Sequence, residues 1–150
     1  MTQSSNILAE VQREVVSDIL SSPQLSSQAV LAENQRDIEY EVQKALAQQG
    51  LVTMVMTPKA TYLGDYSGVK NAWEIEELVI QTVENVPVNR GKSTGILSAE
   101  TMTGQDVSMA ICEHLCKPSL DRKYIPRTYE QGEDNGLLVS KMTLRCAVYS

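Results

Sequence analysis

Residues 72–86 read AWEIEELVIQTVENV and constrain the architecture more than any other segment of the chain. Polar and apolar side chains alternate along most of this segment, which is typical of a β-strand with one solvated face. The two sets are Trp73, Ile75, Val79 and Val83 at odd positions, and Glu74, Glu76, Thr82 and Glu84 at even positions. Leu78 and Ile80 make both faces apolar in the middle, which favours a strand that is covered on both faces at one end. We therefore predict one long strand over 72–86, which leaves through a turn-rich loop at 85–91.

The segment before this strand predicts a helix followed by a second strand. A helix over 32–49 presents one apolar face, which consists of Ile38, Val42, Ala45 and Leu46. Gly50 suits the position just after this helix, because glycine tolerates positive φ. The run LVTMVMT at 51–57 is apolar and rich in β-branched residues, so it predicts a strand. Residues 58–71 predict a loop, because they contain the turn-forming residues Gly64, Asp65, Ser67, Gly68 and Asn71.

The C-terminal half predicts one more helix and a β-hairpin. Thr103 opens the helix, and Asp106 follows three residues later, where its side chain can return the cap as in a capping box. Residues 124–129 and 137–149 then form two arms on either side of the polar segment QGEDNG at 131–136. This order of elements predicts the α+β class: a single domain with a mostly antiparallel or mixed β-sheet and flanking helices.

The first 31 residues predict a helical arm joined to the rest by a Ser-rich linker. Asn6 or Ser5 can cap this helix. One face of the helix is apolar and consists of Leu8, Val11, Val15 and Ile19. The segment SSPQLSS at 21–27 then breaks the helix, since Pro and Ser favour turns. The arm could pack on the core of its own chain or on that of a neighbour. We therefore divide the chain into an N-terminal arm at 1–31 and an α+β domain at 32–150.

Composition narrows the range of functions without naming one. A chain of 150 residues has the size of one domain and can bury a core without disulfides or metals. Its 13 basic and 19 acidic residues give a net charge of −6, which is unsuited to wrapping nucleic acid. No run of about 18 apolar residues occurs, so we expect no membrane partner. The first residues show no secretory signal, so we expect a cytoplasmic protein.

No motif in the sequence predicts a catalytic, cofactor or metal site. On a helix, Cys112 and Cys116 share a face while His114 points away from it, whereas tetrahedral zinc needs convergent ligands. Glu74 and Glu76 could perform acid–base chemistry if one of them were desolvated. A solvated acidic stripe is the simpler interpretation of these two residues. We therefore expect a protein without catalysis, cofactor or metal.

The order of the elements and one short motif resemble a known family. The helix DIEYEVQKAL at 37–46 is followed by Gly50 and a short apolar strand, and the long strand ends in VENVPVNR at 83–90. A loop, a helix ending in ICEHL at 111–115 and a hairpin complete the order. Over residues 32–150 the chain resembles the small neck and tail-completion proteins of tailed bacteriophages, in particular the tail terminators. The most specific part of the resemblance is the pattern Glu-Asn-x-Pro-x-Asn-Arg.

The resemblance implies a structural protein of the virion. Tail terminators form a hexameric ring that caps the tail tube, ends its growth and docks the tail to the head connector, while DNA passes through the ring. The implied partners are further copies of the chain, the tail tube protein, connector or neck proteins, and in some tails the sheath. The implied location is the neck of the virion, and the host cytoplasm during assembly. The alternatives are another neck protein (an adaptor, a stopper or a head-completion protein) and a small cytosolic enzyme.

Two groups of residues become candidates under this resemblance. Asn85, Asn89 and Arg90 are candidates for interface or structural roles, and their alternative is an Asn-capped turn with a surface arginine. The second group would line the lumen of the ring, where acidic side chains repel phosphate and let DNA slide; it consists of Glu74, Glu76 and Glu84.

Overall fold

The computed structural model describes residues 6–91, 102–117 and 124–146. Its helices are α1 (Ile7–Leu20), α2 (Ile38–Gln48), α3 (Val86–Arg90) and α4 (Gly104–Leu115). Its strands are β1 (Val30–Ala32), β2 (Leu51–Val55), β3 (Lys59–Tyr66), β4 (Val69–Glu84), β5 (Tyr124–Asp134) and β6 (Leu137–Cys146). One mixed sheet with helices packed on it confirms the predicted α+β class.

The six strands are arranged around the long central strand β4. The sheet order is β1-β2-β4-β6-β5, and β3 pairs with β4 outside this path. Only the short β1–β2 pair is parallel among the described strands. β2 lies opposite residues 80–84 of β4 and β3 opposite residues 69–77, so β2 and β3 follow one another along the same side of β4.

The central strand occurs where the sequence predicts it, but its alternation changes midway. β4 covers Val69–Glu84 rather than 72–86. The pairing of β3 with β4 shifts by one residue between Lys59 and Ala60. Lys59 lies opposite Glu77, whereas Ala60 lies opposite Ile75, so β4 has one extra residue at this β-bulge. Ile75 and Leu78 therefore enter the same core although three positions separate them. Beyond this bulge the even positions of β4 face the core, which overturns the predicted grouping of Glu84 with Glu74 and Glu76.

Both faces of the sheet are covered in its central part. The larger core lies under α1 and α4 and includes Ile75, Leu78, Ile80, Ile111, Met142 and Leu144. The opposite face carries a smaller cluster under α2, which includes Ala45, Leu46, Val52 and Val83. This arrangement confirms that the long strand is covered on both faces at one end, near Val83, and it confirms the predicted apolar face of α2.

The predicted arm packs on the core of its own chain. Val11, Val15 and Ile19 of α1 are fully buried against the sheet, and Leu25 of the linker is buried with them. The side-chain amide of Gln12 donates a hydrogen bond of 3.0 Å to the carbonyl oxygen of Val55. The sequence left open whether the arm packs on its own chain or on a neighbour, and the described part of the arm packs on its own chain.

Several local predictions are confirmed by the caps and turns. Asn6 caps α1 by accepting a hydrogen bond from Ala9 N at 3.1 Å. Gly50 follows α2 with φ +79°, as expected of a residue that ends a helix. Thr103 and Asp106 form a reciprocal capping box at the start of α4. These caps and turns form between residues that are close in the sequence, so local sequence patterns predict them.

Other predictions fail where pairing between distant segments decides the structure. Residues 58–71 are not a loop, because they contain β3 and a tight turn. The two turn residues, Ser67 and Gly68, both have positive φ. Residues 30–32 form strand β1, so α2 begins at Ile38 and not near residue 32. The predicted loop at 85–91 contains the short helix α3. β3 is mostly exposed and has no alternating pattern, so only its partner strand shows that it is a strand.

Candidate functional site

A buried carboxylate stands at the end of β4. Glu84 is 1% exposed and accepts four hydrogen bonds. Asn89 Nδ2 donates to Oε2 at 2.8 Å, and Arg90 donates through Nε and Nη2 at 2.9 Å each. The backbone nitrogen of Gly104 donates to Oε1 at 3.1 Å. The carboxylate thus ties β4 to α3 and to the first turn of α4, where the helix dipole also favours a negative charge.

The environment of Glu84 keeps this residue ionised. Burial by itself would raise the pKa of Glu84, but the hydrogen bonds from Arg90, Asn89 and Gly104 and the charge of Arg90 outweigh it and lower the pKa. The same ion pair raises the pKa of Arg90. Because its carboxylate is buried and fully engaged, Glu84 cannot line a lumen, so the sequence-based role for this residue is wrong.

The three residues of the Glu-Asn-x-Pro-x-Asn-Arg pattern that were interface candidates have structural contacts. Asn89 is 1% exposed and also donates to the carbonyl oxygen of Met102 at 2.9 Å. Arg90 is 36% exposed and holds Glu84 through two nitrogens. Asn85 precedes α3, and its backbone nitrogen donates to Gly50 O at 2.8 Å. The structural role predicted for Asn89 and Arg90 therefore has direct support, whereas the side chain of Asn85 makes no capping hydrogen bond to α3.

The other two acidic candidates lie in a surface cleft of about 540 Å³ at the base of the β3–β4 hairpin. Glu74 pairs with Arg145 at 3.2 Å, and Glu76 accepts a hydrogen bond from Thr61 Oγ1 at 2.9 Å. The cleft is lined by Lys59, Glu74, Glu76, Glu77, Ile125, Arg127 and Arg145. Three carboxylates and three cations balance each other there. We call this surface the mixed-charge cleft.

Sequence reasoning missed the cations of the mixed-charge cleft. Lys59, Arg127 and Arg145 belong to three different strands, β3, β5 and β6. Only the pairing of these strands around β4 brings their side chains beside Glu74 and Glu76. No local signal could have revealed this, because the three cations lie on other strands than Glu74 and Glu76, far from them in the sequence. The predicted acidic stripe is therefore a surface of balanced charge.

Two long strand edges are open among the described residues, and the third edge strand, β1, has only three residues. β5 pairs only with β6, and ten of its eleven residues are exposed. β3 pairs only with β4 and is likewise mostly exposed. Since β3 and β5 lie on opposite sides of β4, these edges face in opposite directions. Exposed edges of this length offer unpaired backbone groups to another chain.

A serine, a histidine and an aspartate meet between α1 and α4, although no sequence pattern predicts their contact. His114 Nε2 lies 2.8 Å from the carbonyl oxygen of Asp18, 3.4 Å from its Oδ1 and 3.3 Å from Ser21 Oγ. The carbonyl can only accept, so Nε2 carries the proton and cannot take one from Ser21. In a catalytic triad the serine and the acid contact different ring nitrogens. The trio therefore joins two helices and does not form a nucleophilic site.

The cysteines have the buried positions expected of small apolar residues. Cys146 is buried, and Cys112 and Cys116 are partly buried against the larger core. Among residues 6–91, 102–117 and 124–146, no group of three or more metal-binding side chains comes together. No helix in this described part is long and apolar enough to cross a membrane.

Comparison with known proteins adds no relative from which a role could be transferred. No protein family matches the sequence, and no curated protein is significantly similar to it. What this chain does must therefore be inferred from its geometry and from the resemblance in the order of its elements.

Proposed function

We propose that this chain is a ring-forming structural subunit of a phage neck, of the tail-terminator type. In this role, copies of the chain form a ring, most simply a hexamer, on the end of the tail tube. The ring ends the growth of the tube and joins the tail to the head connector, with DNA passing through its centre. Its partners are the tail tube protein and neck proteins, and the sheath where the tail is contractile.

The observation that carries this proposal is the pair of open edges on opposite sides of one sheet. A closed ring needs two different surfaces on each subunit, so that the contact between neighbours repeats head to tail. The edges of β3 and β5 are two such surfaces. The order of elements over 32–150 adds the resemblance to tail terminators.

The mixed-charge cleft is the candidate lumen surface in this proposal. With Glu84 buried, Glu74 and Glu76 remain as the acidic candidates, beside Arg127 and Arg145. A surface of balanced charge neither binds phosphate tightly nor repels it strongly. Such a lumen lets DNA slide, which a ring on the DNA path requires.

The first test measures oligomeric state together with binding to tubes. Light scattering on a sizing column is followed by negative-stain imaging, with purified tail tubes added to a second sample. We expect six-fold rings, either in solution or on tube ends. A monodisperse monomer that ignores tubes would contradict the proposal.

A second test addresses the lumen. The double variant Glu74→Lys/Glu76→Lys makes the mixed-charge cleft strongly basic without touching the core. We expect rings to form but DNA ejection to slow, because lysines hold phosphate. Normal DNA packaging and ejection through the variant ring would show that Glu74 and Glu76 do not line the lumen. The control is Glu39→Lys/Glu41→Lys on α2, which changes the charge equally on a different face of the sheet.

The other neck proteins are the competing candidates. An adaptor, a stopper or a head-completion protein also forms a ring but binds the connector rather than the tube. Tail tubes and isolated connectors offered side by side separate these roles. A small enzyme would need a nucleophile, and Ser21 contacts His114, but the Nε2–H of His114 donates to the carbonyl oxygen of Asp18 and cannot activate the serine.

A further inference from the structure

We infer that the open edge of β5 pairs, antiparallel, with the β3 edge of a second copy of the chain. This inference rests on the proposed function for the closure of the contact into a ring. It specifies the partner and the register of the contact, which the proposed function leaves open.

The strand directions favour this pairing. β6 is antiparallel to both β4 and β5, so β5 runs parallel to β4. β3 is antiparallel to β4, and therefore also to β5. β3 pairs with residues 69–77 of β4, whereas β5 lies, through β6, level with residues 78–84. A second copy in the same orientation, displaced along the strand direction by this difference, thus presents its β3 antiparallel to β5. One continuous sheet results, and each added copy exposes the same free edge again.

Charge complementarity selects a register for the contact. Lys59 and Asp65 are six residues apart in β3, and Arg127 and Glu133 are six residues apart in β5. An antiparallel register that sets Lys59 opposite Glu133 also brings Asp65 close to Arg127, across the bulges that β3 has near Leu63 and β5 has at Arg127. Opposite charges that face each other across strands stabilise a pair, whereas like charges destabilise it. None of Lys59, Arg127 and Glu133 has an ion pair within the described part of its own chain.

The remaining positions of this register are also compatible. Thr61 falls opposite Gln131, and both side chains are exposed. Leu63 falls opposite Tyr129, whose side chain is 36% exposed and would gain an apolar neighbour. No two like charges face each other in the shared length. The competing arrangement, an antiparallel β5–β5 dimer, would pair Arg127 with Glu130 but would leave β3 unpaired and stop at two copies.

Site-specific disulfides test the register directly. Thr61→Cys and Gln131→Cys are made in separate full-length chains of different mass, mixed, and oxidised gently. Directly opposed positions on neighbouring strands bring Cβ atoms close enough for a disulfide. We expect a heterodimer of the two variants only in the mixture. The control pairs Gln131→Cys with Lys44→Cys on α2, and the wild-type chain controls for Cys112, Cys116 and Cys146.

Charge reversal provides an independent test of the same contact. Glu133→Lys or Lys59→Glu alone places like charges opposite each other, so we expect association to weaken by roughly fivefold. The double variant Glu133→Lys/Lys59→Glu restores opposite charges and should restore association. Glu39→Lys and Lys44→Glu on α2 are the matched controls, and circular dichroism verifies that each exposed substitution leaves the fold intact. Absence of rescue in the double variant overturns the register.

The outcomes separate this inference from the proposed function. Rings on tube ends without the disulfide overturn the edge pairing and leave the ring function standing. The disulfide in assemblies that ignore tail tubes supports the edge pairing and overturns the tail role. A dimer that is indifferent to Lys59→Glu overturns the pairing in favour of β5 with β5. A monomer that forms no disulfide up to its solubility limit overturns it as well.

Discussion

The two ends of β4 carry the same kind of side chain in opposite environments. At one end, Glu84 is 1% exposed and accepts four hydrogen bonds from three residues. At the other end, Glu74 and Glu76 reach solvent, and each accepts one side-chain hydrogen bond from the described residues. A carboxylate is tolerated in the interior only where donors surround it, and α3 and α4 supply them at one end alone. The comparison shows that an acidic stripe in a sequence does not reveal which of its members is structural.

The largest expected loss of stability comes from removing the buried carboxylate of Glu84. Glu84→Ala leaves Asn89 and the backbone of Gly104 without their acceptor and separates α3 and α4 from β4. We expect a loss of about 4 kcal/mol in the free energy of unfolding. Glu76→Ala at the exposed end is the control and should stay within about 0.5 kcal/mol of wild type. Chemical denaturation measures both, and equal losses would mean that the two ends do not differ.

A slightly smaller loss of stability is expected at Gly50, which follows α2 and lies against α3 near Glu84. Gly50 has φ +79°, and a Cβ there would lie 2.4 Å from the backbone nitrogen of Asn89. Gly50→Ala should cost about 3 kcal/mol, because backbone strain and a close contact add.

Gly68 in the β3–β4 turn supplies the matched control for this substitution. It has φ +83°, but a Cβ added there would meet nothing within 4 Å, so Gly68→Ala carries the backbone strain alone. We expect a cost of about 1 kcal/mol, compared by thermal and chemical denaturation. If both alanines cost the same, the close approach of α2 and α3 contributes nothing.

The pH dependence of stability tests whether Glu84 is ionised in the folded chain. Because the folded-state pKa of Glu84 is lowered from 4.5, its contribution is complete above that pH and is lost as pH falls through the folded-state value. In urea titrations at a series of acidic pH values, the stability of wild type should fall more steeply than that of Glu84→Gln. Parallel curves for wild type and Glu84→Gln would contradict an ionised Glu84 in the native state.

The smallest effect is expected at the exposed end. Glu74 and Arg145 are 33% and 53% exposed in their side chains, and their ion pair of 3.2 Å is screened by water and salt. Glu74→Gln should cost no more than about 0.5 kcal/mol, and the difference should vanish in about 1 M salt. Denaturation at low and high salt measures this. A larger loss that survives salt would show that the mixed-charge cleft contributes to the fold.

The sequence predicts those parts of the fold that depend on adjacent residues. The apolar stripes of α1 and α2, the cap of Asn6 and the Thr103–Asp106 box all follow from spacing and side-chain chemistry. β3 escapes prediction because it has no pattern of its own and exists through pairing with β4. The bulge near Glu77 escapes for the same reason, and it moves Glu84 from the polar set to the core side.

The candidate sites divide in the same way. The Glu-Asn-x-Pro-x-Asn-Arg pattern draws attention to Asn89 and Arg90, but only their distances to Glu84 show that they hold a buried carboxylate. The open edges of β3 and β5 are invisible in the sequence, because an edge is defined by the strands that do not pair with it. They are also the features on which the proposed ring depends.

Local spacing and composition were enough to predict the α+β class, the long central strand, the helix caps and the acidic net charge. Three further features emerged only in the folded chain: which glutamate is buried, where cations meet carboxylates and which edges stay open. The physical reason is that strand pairing joins residues that are far apart in the chain. A shift of one residue in register then exchanges the solvent face for the core.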